Sequence, residues 1–279
     1  MEVIKNAVMK DYSNMKIGGI AEKLIFIEKK EELLDVLEKE KDFFIIGNGT
    51  NTLIKDGKID KTFITLKKLN SIKLLEDNRV YVEAGLDFSK FIEFMEENNL
   101  SGLENLAGIP GSIGGLVYMN GGAYGTEIFD HIEEIEIIDD NNKLRKIKKE
   151  NIKYSYRTTE IKEKNWIIIS IIFKLEKGFN KEKVQELTTK RENNHPLDLP
   201  NLGSTFKNPE GYYSAKLIIE SGIQGYKIGG ARISTKHPNF IVNEENAKYS
   251  DVIELIDFVK KSVKSKTGID LEEEIIIIK

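Results

Sequence analysis

The sequence predicts an α+β fold with mostly antiparallel strand pairing. Three observations predict it. Short apolar runs of strand length recur along the chain, some alternating with charge at a period of two. A smaller number of longer stretches place apolar residues at helical spacing. The length, 279 residues, exceeds what one small core needs and suits two or three packed subdomains.

Taken in order, residues 23–28 form a short apolar strand, and 31–40 follow with Leu33, Leu34 and Leu37 on one helical face. Residues 42–47 and 62–66 are further strands, so the N-terminal third reads β-α-β. Residues 79–85 alternate as another strand. Asp87 is placed to cap a helix over 88–98, with Phe91, Ile92 and Met95 on its buried face. A glycine-rich run occupies 102–125. Residues 132–139 alternate Ile and Glu as a half-exposed strand, 139–142 turn, and 143–149 return as a hairpin. Residues 166–175 are almost wholly apolar, the pattern of a strand buried on both faces. A charged helix over 181–194 leads to His195-Pro196. Beyond it the chain becomes loop, then gives a short helix over 215–221 stopped by Gly222 and a strand over 240–243. Ser250 is placed to cap a helix over 251–267, with Val252, Leu255, Ile256, Val259 and Val263 as its stripe and Gly268 at its end. Residues 271–278 form a terminal strand.

Composition removes several chemistries. The net charge of −4 gives no basic face for nucleic acid, and no apolar stretch has bilayer-spanning length. The N-terminus has no apolar signal-peptide region, so the chain is expected to stay in the cytosol. There is no cysteine, hence no disulfide, thiolate nucleophile or iron–sulfur ligation. The three histidines, His131, His195 and His237, lack metal-ligand spacing, so no metal is expected. Arginine is scarce: Arg79, Arg145, Arg157, Arg191 and Arg232. A planar fork in such a chain is a candidate for a task that lysine cannot perform.

The run 102-GLENLAGIPGSIGGLVYMNGGAYG-125 holds eight glycines in 24 residues. Glycine reaches positive φ and lets a ligand approach bare N–H groups, which then form anion-binding nests. The interleaved Leu, Ile, Val, Met and Tyr distinguish the run from a solvated linker, so it reads as a ligand cradle. It is neither a Walker loop nor a Rossmann fingerprint. The loop 46-IGNGTNTLI-54, directly after an apolar strand, is by itself balanced between an ordinary turn and a second phosphate site.

Together these two segments resemble the flavin-binding half of the UDP-N-acetylenolpyruvoylglucosamine reductase family. The resemblance continues, in order, through 156-YR-157, 203-GSTFKNP-209, 222-GIQGYKIGGARISTKHPNFIVN-243 and 271-LEEE-274, and covers essentially the whole chain. It implies a two-subdomain FAD-binding module of the vanillyl-alcohol-oxidase type over 1–66 and 67–178, and a C-terminal α+β substrate-binding domain over 179–279. It implies reduction of the enolpyruvyl ether of UDP-N-acetylglucosamine to UDP-N-acetylmuramate in peptidoglycan synthesis, with FAD and NADPH as cofactors. The implied partners are therefore small molecules; neither nucleic acid nor membrane is involved, and a monomer is expected. Ser204 matches the proton donor, Arg157 the arginine that holds the substrate carboxylate, and Glu274 the glutamate acting on the intermediate. Glu274 also sits on a strand whose tail, 275-IIII-278, is expected to be buried on both faces, where desolvation raises a carboxyl pKa. Gly47, Asn48, Gly49, Thr50, Asn51, Gly108, Pro110, Gly111, Ser112, Gly114, Gly115, Asn120, Gly122 and Ala123 fall on the cofactor side. Tyr124, Lys207, Asn208, Lys227 and Asn239 fall on the substrate side.

The chain departs from the family pattern in small ways. Asn48 and Thr50 replace a glycine and a serine often found in the first loop. Glu273 and Ile275 replace a proline and an arginine near the C-terminus. The short stretch between Arg157 and Ser204 resembles the subclass that lacks an extra tyrosine-bearing loop. Two rival readings are an FAD-linked oxidase of the same architecture and a non-catalytic nucleotide-binding protein. The first commonly needs a covalent His or Cys attachment, and the second gives Ser204, Arg157 and Glu274 no reason to occur together.

Overall fold

The apolar run near residue 170 becomes the centre of the largest sheet. In the computed structural model, which describes residues 1–279, the strand Ile167–Lys174 is buried along most of its length. It pairs with Ile132–Ile138 on one edge and Arg79–Glu83 on the other. Leu144–Lys148 and Ile72–Leu74 complete the five-stranded order, and every adjacent pair is antiparallel. The Ile/Glu alternation of Ile132–Ile138 does not give the half-exposed strand expected: four of its last four residues are buried. Being second from the edge explains this, and Glu136 tolerates burial because Lys30 Nζ (3.2 Å) and Ser170 Oγ (3.1 Å) donate to its two oxygens. The helix Phe88–Glu97 lays Phe88, Phe91, Ile92 and Met95 into the same core, with Phe91 and Phe173 ring centroids 4.9 Å apart. Asp87 precedes this helix but makes no side-chain cap. A separate four-stranded sheet takes Glu2–Val8, Ile20–Phe26, Lys58–Thr65 and Phe43–Ile45 in that order, the last pair being parallel.

Two units cluster from segments distant in sequence. One holds Met1–Lys5, Lys23–Asn48 and Lys61–Lys190; the other holds Asn6–Glu22, Gly49–Asp60 and Arg191–Lys279. Each has its own apolar core. The second is organised on the helix Tyr249–Thr267, whose buried stripe is Val252, Leu255, Ile256, Val259 and Val263. This helix starts before Ser250: Lys248 is the N-cap, and the Asp251 carboxylate accepts its N–H at 3.0 Å. Its end is as expected, with Gly268 at φ 78° donating to the Lys264 carbonyl. Beside it lie the helix Ser214–Glu220 and an antiparallel sheet of Lys227–Ile228, Ala231–Ile233 and Ile241–Asn243. The terminal strand is shorter than expected. Only Ile276–Ile278 is regular, pairing in parallel with Thr52–Ile54, and a bend at Ile275 separates it from residues 272–274. Ile276 and Ile277 are half-buried rather than buried on both faces. No helix is long and apolar enough to cross a membrane.

Candidate active site

In the first unit, two backbone loops come together. The first is Gly47-Asn48, after the strand Phe43–Ile45. The second is Gly111-Ser112, before the short helix Ile113–Tyr118. Asn48 Nδ2 donates to Asp87 Oδ1, and Asp87 is bridged to Ser112 by the bonds Phe88 N to Gly111 O and Ile113 N to Leu86 O, both 2.9 Å. A Cβ on Gly47 would stand 2.7 Å from Ser112 Oγ, so the loops meet at van der Waals distance only because residue 47 has none. Ser112 Oγ itself accepts from Gly115 N at 3.3 Å and caps the helix. Gly114 presses that helix onto the neighbouring strand end, where an added Cβ would be 2.9 Å from Ala84 Cβ. The backbone N–H groups of Gly47, Asn48, Gly111 and Ser112 donate to nothing within the protein. Four bare amides on two adjoining loops suit the binding of a diphosphate. Gly108 (φ 79°) and Gly111 (φ 141°) shape the approach, and exposed Pro110 lies between them. The loop is anchored at its start by Glu104, whose carboxylate accepts from Gly102 N (2.8 Å) and Asn180 N (3.1 Å). Burial alone would raise the Glu104 pKa, but these bonds hold it below the ordinary value. The His131 ring fills the space beside Gly102, so one histidine does border the run.

The end of the run carries the arginine. Asn120 is fully buried with φ 45°, and residues 122–123 pair with 126–127 in a tight antiparallel ladder. Arg157 occupies the second loop position of the hairpin joining Tyr154–Ser155 to Thr158–Thr159, in the left-handed region at φ 56°. Its guanidinium reaches back to the run, donating to Asn120 O (3.3 Å) and Gly122 O (2.8 Å), and lies 5.0 Å from the Tyr156 ring centroid. These two acceptors are neutral carbonyls, and they fix the position of the planar fork. Tyr124 is exposed at φ 50°, with Lys190 Nζ 5.2 Å from its ring.

In the second unit, Ser204 and Glu274 lie on adjacent chains. Residues 205–207 run against 272–274: Lys207 N donates to Glu272 O (2.9 Å), Glu274 N to Thr205 O (2.8 Å), and Phe206 bridges Glu273. Asn239 clamps the other side of this segment. Its backbone O accepts from Thr205 N (2.7 Å), its Oδ1 from Phe206 N (3.1 Å), and its Nδ2 donates to Phe206 O (2.8 Å). Gly203, at φ 74°, turns the chain into the segment. Ser204 Oγ, half-buried, makes no hydrogen bond to the protein, whereas a serine between Gly and Thr more often satisfies its own turn. Within the same unit, Asn51 donates from Nδ2 to Glu274 O (3.2 Å), and its backbone O accepts from Ile276 N (2.9 Å). Gly49, at φ 66°, has no room for a side chain, since a Cβ would fall 2.1 Å from Tyr12 O; Thr50 follows it, half-buried.

The lysines are engaged. Lys207 Nζ pairs with Glu272 Oε1 at 2.5 Å. Lys227 pairs with Glu244 and Glu245, and Arg232 pairs with Glu244 at 2.8 Å. The Glu244 partner holds the Lys227 pKa above its ordinary value. Asn208 is exposed, and its Oδ1 accepts from Ser214 N at 3.0 Å.

A family model for the C-terminal domain of UDP-N-acetylenolpyruvoylglucosamine reductase matches residues 195–278, and one for an FAD binding domain matches 22–148. The UDP-N-acetylenolpyruvoylglucosamine reductase of Fusobacterium nucleatum is 54% identical over the whole of both chains. The chain belongs to the UDP-N-acetylenolpyruvoylglucosamine reductase family. The reductase of Caldanaerobacter subterraneus is 40% identical over 98% of this chain and 92% of its own. The crystal structure of the Thermus caldophilus reductase matches 100% of this chain and 98% of that one, with a TM-score of 0.85 at 29% identity. The matched FAD binding region contains both bare-amide loops, and the reductase C-terminal region contains Ser204 and Glu274. Two polar contacts beside the candidate site were not legible in the sequence. Asp87 looked like a helix cap, because an acid before an apolar helical run is the usual cap signal. Glu127 carried no signal at all, yet it accepts from the buried Asn120 amide.

Proposed function

We propose that this chain reduces the enolpyruvyl ether of UDP-N-acetylglucosamine to the lactyl ether, giving UDP-N-acetylmuramate for peptidoglycan synthesis. The bare N–H groups of Gly47, Asn48, Gly111 and Ser112 would hold the diphosphate of FAD, which when bound would supply the hydride chemistry between NADPH and the enol ether. Arg157 binds the substrate carboxylate through its fork. Ser204 gives its proton to the substrate α-carbon, which becomes electron-rich as the hydride arrives. Glu274 acts with Arg157 on the enolate-like intermediate. The substrate diphosphate draws on Lys207 and Lys227, which exchange their carboxylate partners for phosphate. The chain works as a monomer in the cytosol on these small molecules, without nucleic acid or membrane partners.

The observation that carries this reading is Ser204: its hydroxyl is unbonded within the protein while the segment around it is clamped on both sides by Asn239 and by residues 272–274. A proton donor needs that combination of a fixed backbone and an uncommitted hydroxyl. The test is anaerobic half-reaction spectroscopy. The purified protein is expected to be yellow, to be reduced by NADPH, and to be reoxidised by the enolpyruvyl sugar nucleotide. Ser204→Ala is expected to retain reduction by NADPH and to lose about two to four orders of magnitude in reoxidation, the usual worth of a positioned acid. Equal slowing of both half-reactions would remove Ser204 from the role.

A further inference from the structure

The hairpin that carries Arg157 is held at its base by Thr159, whose Oγ1 donates to Tyr118 O (2.8 Å), and by the Tyr154 ring against Phe129 (centroids 4.5 Å apart), and nearer its turn a buried amide reaches it. Tyr154–Ser155 and Thr158–Thr159 pair only with each other, and the turn between them is left-handed at a non-glycine residue. The guanidinium takes its two carbonyl acceptors from Asn120 and Gly122. Asn120 is the fixed point: it has no solvent exposure, and its Nδ2 donates both to Ser155 O (3.0 Å), on the hairpin, and to Glu127 Oε2 (2.7 Å). Two acceptors on one nitrogen decide the amide orientation, because the Asn oxygen donates to neither. Glu127 is itself held, since its N–H donates to Asp130 Oδ2 at 2.8 Å and its backbone pairs with Gly122. A rigid sequence of bonds therefore runs from Asp130 through Glu127 and Asn120 to both the strand and the side chain of Arg157.

We propose that Glu127 is a positioning residue for Arg157, fixing through the Asn120 carboxamide where the guanidinium meets the substrate carboxylate. The proposal rests on the carboxylate-binding role of Arg157 given above. Glu127 acts as a hydrogen-bond acceptor, so its charge is dispensable and its oxygen is not. A fork displaced by an ångström loses its bidentate geometry, and losses of about tenfold to a hundredfold follow from displacements of that size.

The test measures both anaerobic half-reactions, with the sugar-nucleotide concentration varied, in wild type, Glu127→Ala and Glu127→Gln. Glu127→Ala is expected to weaken apparent sugar-nucleotide affinity and slow reoxidation by at least about tenfold more than it slows reduction by NADPH. Glu127→Gln is expected to restore most of that loss, because its amide oxygen still accepts from Asn120. If Glu127→Ala does not yield folded yellow protein, Glu127→Met, which keeps side-chain bulk and removes the acceptor oxygen, is expected to show the same selective defect. A defect shared equally by both half-reactions, no defect, or a Gln variant no better than Ala overturns the proposal. Wild-type flavin that the sugar nucleotide fails to reoxidise overturns the function itself, a result distinguishable from all of these.

Discussion

At the scale of single residues, the proposed cofactor cradle depends on what Gly47 lacks. A methyl group there meets Ser112 Oγ at 2.7 Å, and that oxygen caps the helix behind it through Gly115 N. Gly47→Ala must therefore swing Ser112 out of its cap, at a cost of about 0.5–2 kcal/mol, and spread the two rows of bare amides. The expected outcome is protein that folds but retains FAD at least about tenfold less tightly, the affinity equivalent of 1.4 kcal/mol. Flavin content after gel filtration and titration of the stripped protein with FAD check this; unchanged retention would show that the loops do not close on the cofactor. The glycines stood out in the sequence because an apolar, glycine-rich run has few uses other than a ligand cradle. The roles proposed for Ser204 and Arg157 rest on the order of motifs, since a lone serine in a turn and a lone arginine have commoner explanations. Asp87 and Glu127 were not legible, because each acts on a partner seven or more positions away, Asn48 and Asn120.

At the scale of elements, periodicity located helices well and their beginnings less well. The stripe of Tyr249–Thr267 and its end at Gly268 stand as expected, but the start moved because Asp251, not Ser250, supplies the capping oxygen. Gly268 allows a clean measurement. Nothing lies within 4 Å of an added Cβ, so only its φ of 78° opposes a side chain. Gly268→Ala is expected to cost about 1 kcal/mol in urea unfolding, and Gly268→Asn distinctly less, because asparagine tolerates the left-handed region. Equal stability for all three would mean the helix end rearranges. Strand partners were less legible than strands. A period of two says which face is buried, but nothing in it says that Ile276–Ile278 pairs in parallel with Thr52–Ile54.

At the scale of the whole molecule, the order of motifs was readable from end to end, whereas the grouping of segments into units was not, since residues 6–22 and 49–60 cluster with 191–279 through contacts that no local pattern announces. The global response to acid follows from titratable groups that this folding buries. His195, His237 and Phe240 form a ring cluster with centroids 4.8–5.1 Å apart. Burial, then the neighbouring His237 and Arg191, pushes the His195 pKa down to about 4, and burial lowers His237 as well. A histidine held neutral in the fold but free to protonate near pH 6.5 when unfolded favours the unfolded chain as pH falls between those values. The buried carboxyls Glu104 and Asp139 are held below their ordinary pKa, so their contributions are lost only as pH falls from the ordinary carboxylate pKa towards the lower folded one. The interval from pH 6.5 to 5 therefore isolates the histidines. Stability is expected to be level above pH 7 and to fall by roughly 1–2 kcal/mol on reaching pH 5. His195→Phe, which keeps an aromatic ring against Phe240 and cannot take up a proton, is expected to flatten most of that fall in urea titrations at the two pH values. An acid limb as steep in the variant as in wild type would assign the loss to other groups.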